Sequence, residues 1–157
     1  MSENETIDFH GWRFTVESGR TRQAYADSES RGAQDCSCAY CRNLVAQRSR
    51  EYPRELLGFL KSVGVDPFKE AEVYELGPAG DGYTLIGGWW HFIGAVEIEG
   101  EPVFLEPDPS SRSREWNVLF LGQKADLKLN TLPPAPLIQV EFTAKLPWVL
   151  NEPFPSE

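Results

Sequence analysis

Cys36, Cys38 and Cys41 are the only cysteines in a chain of 157 residues, and they fall within the nine-residue stretch Asp-Cys-Ser-Cys-Ala-Tyr-Cys-Arg-Asn at 35–43. Thiolates are soft ligands that suit zinc, and a Cys-x-Cys-x2-Cys spacing brings three sulfurs around one ion in a tight loop. A structural zinc takes a fourth donor. His10 and His91 are the only histidines, and Asp35 is the nearest carboxylate. His91 is preferred, because Trp89-Trp90-His91-Phe92 surrounds the imidazole with bulky apolar neighbours that exclude water. The expected ligand set is therefore Cys36, Cys38, Cys41 and His91 around zinc.

The same residues support two other chemistries. Cys38-Ala39-Tyr40-Cys41 has the Cys-x2-Cys spacing of thioredoxin-like redox centres, where a helix N-terminus lowers a thiolate pKa. It resembles the Cys-Pro-Tyr-Cys of glutaredoxins, with Ala39 in place of proline. Those motifs follow a buried strand inside a βαβ unit, whereas a polar segment precedes this one. Alternatively, the cysteines stay reduced and serve the start and packing of a helix, with Asp35 or Ser37 as its cap. An odd number of closely spaced cysteines makes a poor disulfide framework, and the acidic, polar N-terminus does not read as a signal peptide. Both point to a reducing cytoplasm.

No other stretch has comparable specificity. There is no glycine-rich dinucleotide fingerprint, phosphate loop, nucleophile elbow or His-Glu-x2-His. Glu97, Glu99 and Glu101 alternate on what reads as one solvated strand face. Arg42, Arg48, Arg50 and Arg54 are expected to pair with Glu51, Glu55 and their neighbours. Trp89, Trp90, Tyr83 and Trp116 form either an aromatic binding surface or, as is commoner for aromatics at strand spacing, core.

The net charge of −9 is unevenly spread. Residues 1–61 carry nine basic and nine acidic side chains, while residues 62–157 carry six against fifteen. An acidic C-terminal region argues against a duplex nucleic-acid surface, which needs a basic face. It allows a basic protein partner, so an interaction module of immunity or inhibitor type is an alternative to the zinc module. No apolar run approaches the ~20 residues of a membrane helix.

Residues 1–6 and 151–157 are expected to be loose ends of a single domain. Trp12, Phe14 and Val16 alternate with polar residues as in a half-buried strand. Residues 17–34 read as a long polar connection. A helix is expected from about Cys38 to Ser49, and a second follows Pro53 with the stripe Leu56, Leu57, Phe59, Leu60 and Val63, capped by Gly64. Beyond residue 71 the period becomes two. A hairpin turns through residues 77–82, and Gly87 and Gly88 suggest a bulge or a close backbone approach. Trp116, Val118 and Phe120 share one strand face. Ile138, Val140, Phe142 and Ala144 alternate with Gln139, Glu141 and Thr143, one face buried and one wet. Helices early and strands late predict an α+β fold, with a helix pair near the N-terminal third packed on a twisted, mainly antiparallel sheet of five to seven strands.

Several of these segments in combination resemble a family of small uncharacterised bacterial proteins. They are Cys36-x-Cys38-x2-Cys41-x-Asn43, Tyr52-Pro53, Gly64-Val65-Asp66-Pro67, Ala71-Glu72-Val73-Tyr74 and Gly88-Trp89-Trp90-His91-Phe92-x-Gly94. The similarity spans roughly residues 36–94. It implies a bacterial-type cytoplasmic protein and brings no activity with it.

Overall fold

The computed structural model describes residues 4–155 and shows an α+β protein whose seven strands form one open antiparallel sheet. The chain opens with a hairpin of β1 (Glu5–Phe9) and β2 (Trp12–Val16). His10 and Gly11 close it, both with positive φ (48° and 85°), as a two-residue primed turn requires. Glu5 and Thr6 pair with Val16 and Thr15, so the expected loose start is corrected for these two residues. Residues 1–3 lie outside the described part. β3 (Glu72–Pro78) and the sixteen-residue β4 (Tyr83–Ile98) form the predicted second hairpin. β5 (Val103–Leu105), β6 (Arg114–Gly122) and β7 (Leu137–Pro147) complete the order β1-β2-β4-β7-β6-β5, with β3 also on β4.

Gly87 and Gly88 are a close approach, not a bulge. A Cβ on Gly87 would lie 2.3 Å from the Tyr74 ring, and one on Gly88 would lie 2.6 Å from the Glu72 carbonyl oxygen. The register shift of this hairpin falls instead between Glu75 and Gly77.

The polar segment 17–34 is not a connection. It contains α1 (Ser18–Asp27), whose buried residues are Ser18, Thr21, Ala24 and Tyr25. The reason lies in β4. One edge of that strand pairs with β7 from Tyr83 to Ile93. Its other edge is shared by β3, up to Trp89, and β2, from Gly94. Between them, α1 supplies what a strand would. Tyr25 Oη donates to the His91 carbonyl at 2.9 Å and accepts from the His91 N–H at 3.1 Å. Thr21 Oγ1 accepts from Ile93 N–H at 3.0 Å while donating to Glu17 O. Glu17 N–H donates to Ile93 O at 2.9 Å. Buried backbone groups must be paired, and here two helix hydroxyls and the Glu17 N–H pair them.

The expected helix pair is present but its first member is interrupted. α2 (Ala39–Val45) ends at Ala46, and a single further turn, α3 (Arg48–Glu51), begins after Gln47. Gln47 is fully buried, and its Nε2 donates to Asn43 O at 3.1 Å and to Pro147 O at 2.8 Å. α4 (Arg54–Ser62) follows Pro53, buries Leu56, Phe59 and Leu60, and gives way to Gly64 at φ +90°.

Phe59 sits against the rings of Phe9, Phe14, Phe92 and Phe120, so one helix joins four strands. Tyr52, between α3 and α4, meets Trp90, Trp116 and Phe142 edge-on at centroid distances of 5.7, 5.8 and 5.7 Å. Each such aromatic contributes ~1.5–3 kcal/mol by burial. Trp90 and Trp116 are therefore core. The face of β7 expected to be wet is only partly so: Gln139 is 1% exposed, while Glu141 and Thr143 are half-buried.

Candidate metal centre

The cysteines lie where a 3-10 turn (Gly32–Asp35) passes into α2. Two anchors fix that junction. On the near side, the Glu70 carboxylate accepts from Ala33 N–H at 2.9 Å and from Arg48 Nη1 at 2.8 Å. Tyr52 Oη donates to the same carboxylate. Glu70 and Arg48 are both buried, so each charge leaving water is compensated within the network. Gly32 has φ +62°, and a Cβ there would lie 2.0 Å from Glu70 Oε1. On the far side, Asn43 Nδ2 donates to Pro147 O at 3.1 Å, and Asn43 Oδ1 accepts from Val149 N–H at 2.8 Å. The cysteine segment is thus held between a buried ion pair and the end of β7.

Within it, Cys38 is the N-cap of α2, its sulfur accepting from Cys41 N–H at 3.4 Å. This replaces the expected Asp35 or Ser37 cap. The Cys36 and Cys38 sulfurs are 3.2 Å apart, and all three Sγ atoms lie within 4.8 Å of one another. Cys36 and Cys38 are exposed, whereas Cys41 is buried. The Cys38 N–H, followed by the neighbouring thiols, holds Cys36 below the ordinary thiol range. Burial, then hydrogen bonds from Cys36 and Cys38, pushes Cys41 up. Arg42 braces the loop from outside: its Nε donates to Ser37 O at 3.0 Å, and its guanidinium pairs with Glu152.

The structure brings Cys36, Cys38 and Cys41 together and places the other candidates elsewhere. His91 lies outside the thiol group. Its strand neighbours Trp90 and Phe92 pack on Tyr52 and Phe59, so alternation along β4 directs the imidazole to the opposite face of the sheet. There it is fully buried, with Nε2 2.9 Å from Gln139 Oε1 and Nδ1 without a hydrogen-bond partner. His10 pairs with Glu55 at 2.8 Å, and Asp35 is held by Arg31 at 2.9 Å. Among the described residues, no histidine or carboxylate joins the three sulfurs.

Three thiolates on one ion at a Zn–S distance of ~2.3 Å stand ~3.8 Å apart in a tetrahedral site. Sulfurs that already lie within 4.8 Å of one another meet that spacing with small rotations. The donor chemistry therefore fits a thiophilic metal ion. The context of Cys38-x2-Cys41 differs from the redox centres it resembles, since a 3-10 turn and no buried strand precedes it.

Arg48, expected to pair with Glu51, Glu55 or their neighbours, has Glu70 as its partner, and Glu70 carries no signal in the sequence. Asn43 ties this segment to the end of β7, and Tyr52 ties the Glu70 carboxylate to the aromatic core. Comparison with models of protein families, with curated proteins and with solved structures finds no match to this chain. Among the described residues, no helix is long and apolar enough to cross a membrane.

Proposed function

We propose that this protein is a small non-enzymatic module built around a zinc-thiolate site formed by Cys36, Cys38 and Cys41. The observation that carries it is the convergence of all three cysteines of the chain within 4.8 Å, at a junction braced on both sides by buried polar networks. Zinc suits the donor set, being a borderline-soft d10 ion that binds thiolates without demanding a particular geometry from d-electrons. Binding would tie the 3-10 turn to α2, and through Asn43 and Glu70 to β7 and α3. Its role is then structural, and metal free energy becomes folding free energy.

The test is a zinc titration in competition with a chromophoric chelator, on the reduced protein and on Cys36→Ser, Cys38→Ser and Cys41→Ser. The expected result is one tight site in the parent protein and loss of at least tenfold in affinity in each variant. Parent and variants competing equally weakly would overturn the reading.

A further inference from the structure

The geometry points to an open fourth position on this metal, one that takes a small thiol from outside the chain. This rests on the zinc-thiolate reading and goes beyond it by naming the class of ligand the site would accept.

The first ground is donor supply. Among the described residues the sulfurs have no fourth protein ligand beside them, and the nearby candidates are committed. Asp35 is held by the side chain and backbone of Arg31. Glu152 is paired with Arg42, and Glu72 accepts from Val73 N–H. His91 is bound to Gln139 beyond the sheet.

The second ground is access. Cys41 forms the buried floor, while Cys36 and Cys38 are exposed, so an ion held by all three faces solvent on its remaining side. Three protein ligands leave one exchangeable position on a four-coordinate zinc, which an outside donor can fill while the three thiolates still tie the turn to α2.

The third ground is chemical preference. An ion already carrying three thiolates is best matched by another soft donor. The incoming thiol would give its proton to solvent, and its sulfur would replace a water on the metal. No electron is transferred, and the protein thiolates stay as they are. The Arg42 guanidinium is fixed beside the loop by Ser37 O and Glu152.

The experiment uses the wild-type protein, kept reduced with a phosphine and loaded with one equivalent of cobalt(II) as a spectroscopic stand-in for zinc. A monodentate thiol, 2-mercaptoethanol, is then titrated in. Sulfur-to-cobalt charge-transfer intensity scales with the number of Co–S bonds, so going from three to four raises it by about one third. The expected result is a saturable rise of that size with the cobalt still eluting with the protein. An unchanged spectrum would mean that a donor of the chain fills the position, and the inference would fall. Removal of the cobalt by the thiol would overturn it equally. Failure to bind cobalt at all would instead strike the zinc-thiolate reading itself.

Discussion

Arg48 and Glu70 form a buried ion pair, with Nη1 2.8 Å from Oε1, and the same oxygen accepts the N–H of Ala33, three residues before the first cysteine. The pair thus places the cysteine loop relative to the core. The Arg48 guanidinium also stacks over the Phe68 ring at 5.0 Å, and Tyr52 closes the network from the aromatic cluster.

Removing one partner leaves the other charge buried without compensation, at a cost of ~3–5 kcal/mol. Glu70→Gln is therefore expected to lower unfolding stability by that amount in urea denaturation. A loss under 1 kcal/mol would show that the pair is not what holds the junction.

Tyr25 fastens α1 to β4, since its hydroxyl serves both backbone groups of His91. Tyr25→Phe keeps the ring and removes the hydroxyl, leaving a buried donor and acceptor unpaired. The expected cost is ~1–3 kcal/mol, with faster hydrogen exchange at the His91 amide. Unchanged exchange there would mean that α1 does not protect that edge of β4.

His91 gives a pH signature. Burial, opposed in part by the Gln139 hydrogen bond, lowers its pKa below the ordinary histidine value. The unfolded chain therefore takes up a proton near pH ~6.5 while the folded protein does not. Stability from this residue is fully present above that pH and falls as the pH drops from ~6.5 towards the lowered folded value. The difference in stability between the parent and His91→Gln should shrink over that interval. A difference that stays constant from pH 7.5 to 5.5 would contradict the assignment.

Arg42 is exposed and belongs to no core contact, yet it bridges Ser37 O and Glu152. Groups that orient ligands from just outside a metal site typically carry 10–100-fold in affinity. Arg42→Ala should weaken zinc binding by about tenfold in chelator competition while leaving thermal unfolding of the metal-free protein within about 2 °C. Equal effects on both would assign Arg42 to folding alone.

Much of this architecture was legible where the pattern is carried by apolar residues. Trp116, Val118 and Phe120 are buried on one face of β6, and Ile138, Val140, Phe142 and Ala144 on one face of β7, as their alternation predicts. α4 follows its leucine stripe. The helix at Ser18–Asp27 was not legible, because its buried side is Ser18, Thr21, Ala24 and Tyr25. It is buried for its hydroxyls and not for its hydrophobicity, and the groups it serves lie about seventy residues away.

The thiol cluster was legible from spacing alone. What fixes it was not, since Arg48 and Glu70 stand 22 residues apart and charged side chains usually read as surface. Gln139 and His91 are buried together on the far face of the sheet, so the imidazole that looked well placed in the sequence faces away from the sulfurs.

The most direct test of the central claim is elemental analysis by mass spectrometry of untagged protein purified without chelator, with free thiols counted before and after denaturation. About one zinc per chain is expected, with three thiols that become reactive only on unfolding, because a bound metal would hold them as thiolates. Metal-free protein with three freely titrating thiols would contradict it.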